Sequence, residues 1–246
     1  MTQKLGVAFY LKKIKLILSS IFLLVVAVIF TLGIFILINE IQEMLFVPDD
    51  SLMWTFNYPA SLGIFIYEVY LILGMVYVFC KKFRSIYKEF RPRNAFMNKN
   101  RRSKFRIFIA INVMLFYMII SSVTVITENR IIDYSFLHPQ GQVFNYDNII
   151  KINTGVYGRN SLIPMKYSKG EFFYILELKN GQKVHLNRVC GTKDDEHDFL
   201  VIRRIDDKLV NRSTLKVSSM GNFERTTDYL DKIYTDKIQD ILKNTN

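Results

Sequence analysis

The sequence predicts a membrane protein: three transmembrane helices followed by a C-terminal α+β domain. Three observations predict it. Three stretches of the 246-residue chain are long and apolar enough to cross a bilayer. The basic residues are distributed very unevenly between the loops. Beyond the last apolar stretch, the pattern changes to short β-prone runs and two amphipathic stretches.

Leu16–Ile38 is 23 residues without a charge, Ser61–Cys80 is 20 residues with one, Glu68, and Ile107–Ile126 is 20 residues with none. A crossing helix needs roughly 20 apolar residues. The alternative for each, a buried core helix, is usually shorter and keeps a polar face. The first stretch follows Lys4, Lys12, Lys13 and Lys15, as a signal peptide would. Its apolar run exceeds the roughly 7–15 residues of a signal core, and no small-residue cleavage pattern follows, so a retained anchor is expected.

The formal net charge of +11 suggests nucleic-acid binding until it is divided along the chain. Residues 81–106 hold 11 basic residues against one acid, Glu89, whereas residues 39–60 hold four acids and no base. Residues 127–246 are near balance, with 18 bases and 16 acids. Basic loops stay in the cytoplasm. The N-terminus and residues 81–106 are therefore expected inside a cell membrane, and residues 39–60 and 127–246 outside it. No motif that reads DNA or RNA accompanies the charge, so no nucleic-acid partner is expected. Cys80 and Cys190 would lie on opposite faces and could not pair.

The C-terminal 120 residues are expected to form a soluble domain. Arg130–Phe136, Val143–Tyr146 and Asn148–Tyr157 have strand character. Phe172–Leu178 and Gln182–Val189 flank Lys179-Asn180-Gly181, a hairpin signal. A three-residue loop with left-handed Gly181 would pair Leu176 with Val184 and Glu177 with Lys183, giving one apolar and one wetter face. Two helices are expected, over Asp194–Asn211, capped by Thr192, and over Phe223–Lys243.

The runs Phe144-Asn145-Tyr146-Asp147-Asn148-Ile149-Ile150-Lys151-Ile152 and Phe173 through Val184 resemble bacterial pleckstrin-homology-like domains, which occur behind membrane helices in small bacterial proteins. The resemblance covers roughly residues 128–210 and implies an antiparallel sheet closed by helix. That fold ends in one helix, and two are read here. The resemblance also implies a binding or assembly module rather than a catalyst.

Glu68 is the most informative single residue. It is eighth in its stretch, so helix rise puts it ~11 Å from the outer end. A carboxylate near mid-membrane costs on the order of 2.5–3.5 kcal/mol on insertion scales. It is expected to face other helices or water. Antiparallel counting puts Thr31, Tyr117, Ser121 and Ser122 at similar depth, within hydrogen-bonding reach. The site is a proton- or ion-responsive element, a contact to a membrane partner, or a structural clamp in the bundle. Gly33, Gly63 and Gly74 are candidate points of close helix approach.

In the basic loop, Lys81–Phe90 is expected to continue the second span as a helix ended by Pro92. Phe83, Ile86, Tyr87 and Phe90 would form its apolar stripe. Lys82, Arg84, Lys88, Arg91, Arg101, Arg102 and Lys104 are candidate contacts to anionic lipid headgroups, or simply charge that fixes orientation. Phe46, Trp54, Phe56 and Tyr58 read as interfacial aromatics or a partner surface.

No catalytic fingerprint accompanies His138, His185 or His197. Asp194, Asp195, Glu196 and Asp198 read as an acidic helix start rather than a calcium loop. No cofactor and no metal are expected. The expected partners are the bilayer, anionic headgroups and a membrane or envelope protein. The function expected is non-catalytic binding or assembly at the envelope. The alternatives are a sensor or accessory subunit of a transporter or stress system using Glu68, or a membrane enzyme without a known motif.

Overall fold

The computed structural model describes residues 2–57, 60–90, 101–162, 167–226, 228 and 230–245, with side chains additionally undescribed at 2–13, 15, 16, 60, 61, 90, 101 and 195. The chain divides into two compact units, 1–41 with 61–119, and 42–60 with 120–246.

The first unit is helical. Its elements are α1 (Thr2–Phe46, whose last turns belong to the second unit), α2 (Ile64–Phe79), α3 (Lys81–Phe90) and α4 (Arg101–Ile120). Among the described residues, two helices are each long and apolar enough to cross a membrane, Ile17–Phe46 and Arg102–Ile120, and the bent pair Ile64–Phe79 with Lys81–Glu89 passes the same test only when its two parts are taken together; this is consistent with a membrane protein. Their apolar side chains lie open, as Leu24 at 67% and Val113 at 63% exposure illustrate. Such surface suits lipid rather than water.

All three apolar stretches are expected to span, and the second does not qualify as a single helix. The second stretch is a 16-residue helix that bends by 102° into α3. Lys81–Phe90 is helical, as expected, but it leaves α2 at 102° instead of running on from it. Cys80 adopts an extended conformation at the break (φ −97°, ψ 101°), where the sequence turns from apolar to Lys81-Lys82. The third stretch also ends early, at Ile120 instead of Ile126. Val123-Thr124-Val125-Ile126-Thr127 is β-branched throughout and forms a strand, as such residues prefer. An apolar run does not by itself separate buried strand from buried helix.

Side chains hold α2 to its neighbours. The Tyr67 hydroxyl donates to the Asn112 carbonyl at 2.9 Å, and the Tyr67 ring lies edge-on to Phe116. Phe35 of α1 meets Phe65, with centroids 6.0 Å apart. Of the three glycines, Gly63 alone is at close quarters. A Cβ there would lie 2.9 Å from Ile119 Cγ1, whereas Gly33 and Gly74 have nothing within 4 Å.

The second unit is an α+β domain of two sheets. Sheet one has the order β4-β3-β2-β1-β8, all antiparallel, from β1 (Ser51–Phe56), β2 (Val123–Thr127), β3 (Arg130–Asp133), β4 (Gln142–Asn145) and β8 (Val189–Thr192). Sheet two has the order β7-β6-β5-β9, from β5 (Ile149–Val156), β6 (Phe172–Leu178), β7 (Lys183–His185) and β9 (Leu215–Ser218), with β9 parallel to β5. The helices are α5 (Asp198–Asn211) and α6 (Lys232–Lys243).

The position of β1 was not anticipated. Residues 39–60 read as a loop, yet β1 lies between β2 and β8 inside the sheet. Trp54, the single tryptophan, is 4% exposed and packs with Val123, Val125 and Ile132. It presses on Gly191, where a Cβ would sit 2.1 Å from Trp54 Cζ2. β2 is buried along its whole length, so both faces of the sheet are covered at that strand. Gln42 closes the last turn of α4, its Nε2 donating to the otherwise unpaired Ile120 carbonyl at 3.1 Å.

The hairpin has the expected register. Leu176 pairs with Val184 and Glu177 with Lys183, and Gly181 has φ +82°. Both helices start later than expected. His197 rather than Thr192 caps α5, its Nδ1 accepting from Phe199 N at 3.4 Å. The Thr192 hydroxyl donates instead to the Glu196 carbonyl. Among the described residues before α6, a single turn forms over Phe223–Arg225, and Asn222 ahead of it donates its Nδ2 to Val156 O at the end of β5 at 3.2 Å.

Candidate functional site

Glu68 is half-buried on α2, and the Thr31 hydroxyl of α1 donates to its Oε1 at 3.0 Å. The same hydroxyl lies 2.9 Å from the Ala27 carbonyl one turn back. One proton serves both acceptors, so the Thr31 hydroxyl is shared between its own helix and the carboxyl. Depth counting thus located a real partner. Tyr117 is on α4 and 41% exposed. Ser121 and Ser122 follow the end of α4, are buried and belong to the second unit. No described bond joins any of these three to Glu68.

The basic residues of α3 lie on an exposed, strongly amphipathic helix. Lys82 and Lys88 are exposed, and Arg84 is half-buried. The Arg84 Nη2 reaches back across the bend to the Val78 carbonyl at 2.9 Å, satisfying an orphan carbonyl at the end of α2. Tyr87 also turns back, its ring 5.4 Å from Tyr77. Arg102 and Lys104 are exposed on the first turns of α4. Arg91 and Pro92 lie outside the described residues, as does the side chain of Arg101.

The aromatics of residues 39–60 separate. Trp54 is in the sheet core. Phe46 meets the Tyr134 ring at 5.0 Å in the same domain. Phe56 is half-buried at the end of β1, and Tyr58 lies outside the described residues.

The domain contains a cavity of about 460 Å³ that no sequence pattern announced. Its apolar wall is Phe172, Val189, Phe199, Ile202 and Leu230. Its rim carries Glu171, whose Oε1 accepts from Asn187 Nδ2 at 3.2 Å and whose Oε2 accepts from Ser168 N at 2.7 Å. The cavity is assembled from β6, β8 and the start of α5, with Phe172 and Phe199 edge to face at 5.8 Å. Volume and lining suit a small amphiphilic group or a protruding side chain.

A polar network lies under α6. Lys216 of β9 and Asp206 of α5 form an ion pair at 2.6 Å, with side chains 1% and 0% exposed. Asp206 also accepts from the Tyr174 hydroxyl at 2.7 Å and Asn244 Nδ2 at 2.8 Å, and Lys216 donates to the Ile241 carbonyl at 2.6 Å. Burial pulls the Lys216 ammonium below its usual range, against the pull of Asp206. Burial first, then Asp206, pushes the Tyr174 phenol well up. The network had one signal in the sequence. Asp206 occupies a core position of the α5 stripe beside Ile202, Ile205 and Leu209.

No three His, Cys, Asp or Glu side chains among the described residues gather as a metal site. Of the acidic group at the start of α5, Glu196 pairs with Arg204. Cys190 packs beside Trp54, and burial pushes its thiol well up. No protein-family model, curated protein or solved structure matches the chain.

Proposed function

We propose that this chain is a non-catalytic integral membrane protein whose C-terminal domain, pleckstrin-homology-like in architecture, is a binding or assembly module on the outer face of the cell membrane. The observation that carries this reading is the cavity of about 460 Å³, apolar within and lined at its mouth by Glu171 and Asn187. That lining suits recognition of an envelope partner. Strands β6 and β8, one from each sheet, and helix α5 contribute to its wall.

Chain parity supports three crossings, provided that α1 and α4 both cross. β1 and β2 are hydrogen-bonded neighbours, so Phe56 and Val123 lie on one side of the bilayer. The chain between them crosses an even number of times. If α4 crosses, so does the segment containing α2. Its 16 helical residues and the preceding turn Ala60–Gly63 reach roughly 30 Å, about the hydrocarbon thickness. The basic loop then favours the N-terminus and α3 inside, and the domain outside.

Photo-crosslinkers at Lys169 and Asp198, on the cavity rim, test the binding role in native membranes. One dominant adduct at both sites, absent from a control at exposed Leu137, is the expected result. No adduct at either site with normally folded protein would overturn the reading.

The Thr31–Glu68 bond favours a second reading, a sensor or accessory subunit that responds through the membrane. Glu68→Gln leaves a pure anchor functional. Loss of a knockout-complementing phenotype at normal abundance would favour the sensor.

A further inference from the structure

The bend between α2 and α3 has features that orientation charge alone does not require. Lys81, Arg84 and Lys88 recur at helical spacing and, with Ser85, line a groove of about 270 Å³. Three cations are thus held on one face of a ten-residue helix. None of them meets a carboxylate among the described residues. Ser85 adds no donor, because its hydroxyl is committed to the Lys82 carbonyl at 2.8 Å.

Arg84 is the anchor of the group. Its Nη2 is fixed on Val78 O, which orders the guanidinium at the bend. Its Nε is buried and has no acceptor. A buried guanidinium N–H without a partner is costly, and the geometry of guanidinium matches a phosphate oxygen.

The helix geometry indicates where that oxygen comes from. α3 leaves α2 at 102°, so if α2 crosses the bilayer, α3 runs along its surface. Arg84 and Tyr87 both turn back toward α2, and Ile86 and Tyr87 are 41% and 56% exposed. Phe83, Ile86 and Tyr87 form one flank and the three cations the other. An interfacial helix places such an apolar flank among acyl chains and its cations beside the phosphates.

We propose that the α2–α3 elbow is a binding site for the phosphate group of an anionic phospholipid, held by Lys81, Arg84 and Lys88. The proposal rests on the proposed crossing by α2. Labelling of Cys80, exposed at the same bend, tests that crossing separately.

The test uses the full chain in neutral detergent, titrated with phosphatidylglycerol or phosphatidylcholine and read by native mass spectrometry. Retention of phosphatidylglycerol in preference to phosphatidylcholine is the expected result. Each basic side chain near a membrane surface is worth about a fivefold change in affinity, so Lys81→Gln/Lys88→Gln should weaken retention about 25-fold. This double variant leaves the Arg84–Val78 brace in place, so the fold is preserved. Arg84→Gln should weaken retention at least as much. Equal retention of the two lipids, or an unchanged double variant, would overturn the proposal. So would displacement of the lipid by millimolar inorganic phosphate, which would mark the groove as a site for soluble phosphate.

Discussion

Replacing Lys216 by methionine should destabilise the C-terminal domain by about 3–5 kcal/mol, the cost of leaving one partner of a buried ion pair unpaired. Lys216 and Asp206 are 1% and 0% exposed, so solvent screens neither. The substitution removes three donated bonds at once, two to Asp206 at 2.6 and 2.7 Å and one to the Ile241 carbonyl at 2.6 Å. Asp206 would keep only Tyr174 and Asn244 as donors, with its charge uncompensated. Natural domains are stable by about 5–15 kcal/mol, so the loss would be a large share of the total. Trp54 makes the measurement specific, because it is the single tryptophan and lies in β1 of the same domain. Urea unfolding of the full chain in detergent, followed by its fluorescence, reads this unit. Asp206→Asn/Lys216→Met removes both charges and should recover about half of the loss or more. A single variant that costs under about 1 kcal/mol would refute the reasoning. So would a double variant that is worse than the single.

Further outcomes follow from other sites. The Tyr146 hydroxyl donates to Thr127 O at 2.6 Å, and burial pushes its pKa up to about 12. Its folded-state pKa is raised, so its contribution is complete below pH 10 and is lost, by about 2–3 kcal/mol in all, as the pH rises through about 12. Unfolding of wild type against Tyr146→Phe across this window should show a steeper decline in wild type, since the raised Tyr174 phenol contributes equally to both. Gly191→Ala should cost about 1–3 kcal/mol by overpacking and shift the Trp54 emission, since the added Cβ meets the indole ring; an unchanged spectrum would contradict the packing. Thr31→Val should lower thermal stability in detergent by about 0.6 kcal/mol, a typical value for a hydrogen bond between membrane helices.

Local signals in the sequence carried well and non-local ones did not. The β6–β7 hairpin was legible down to its register, because Asn180-Gly181 sets the turn and alternation sets the faces. β1 was not legible. Ser51–Phe56 is short, lies between apolar helices, and reads as interfacial aromatics until a partner strand is supplied. That partner, β2, was hidden at the end of an unbroken apolar run, where hydropathy alone separates neither helix from strand nor lipid from core. The two errors have one origin, since the paired strands are separated in sequence by residues 57–122. At Glu68, counting residues by helix rise found Thr31 because both helices are regular there. It failed for Ser121 and Ser122 because α4 had already ended. The cavity needs side chains from β6, β8, α5 and Leu230, which share no periodicity.

The central claim is that residues 42–60 and 120–246 form one domain on one side of the membrane, with α2 and α4 as crossings and the α3 bend on the other side. Single-cysteine variants labelled with an impermeant maleimide test it most directly. Cys190 is a poor reporter because it is partly buried. The exposed positions Asp49 and Leu137, changed to cysteine, report the two segments of the domain, and the native Cys80 reports the bend. Asp49→Cys and Leu137→Cys should label in intact cells, and Cys80 only after permeabilisation. Labelling of Asp49→Cys and Leu137→Cys from opposite sides, or of Cys80 from the same side as both, would contradict the account.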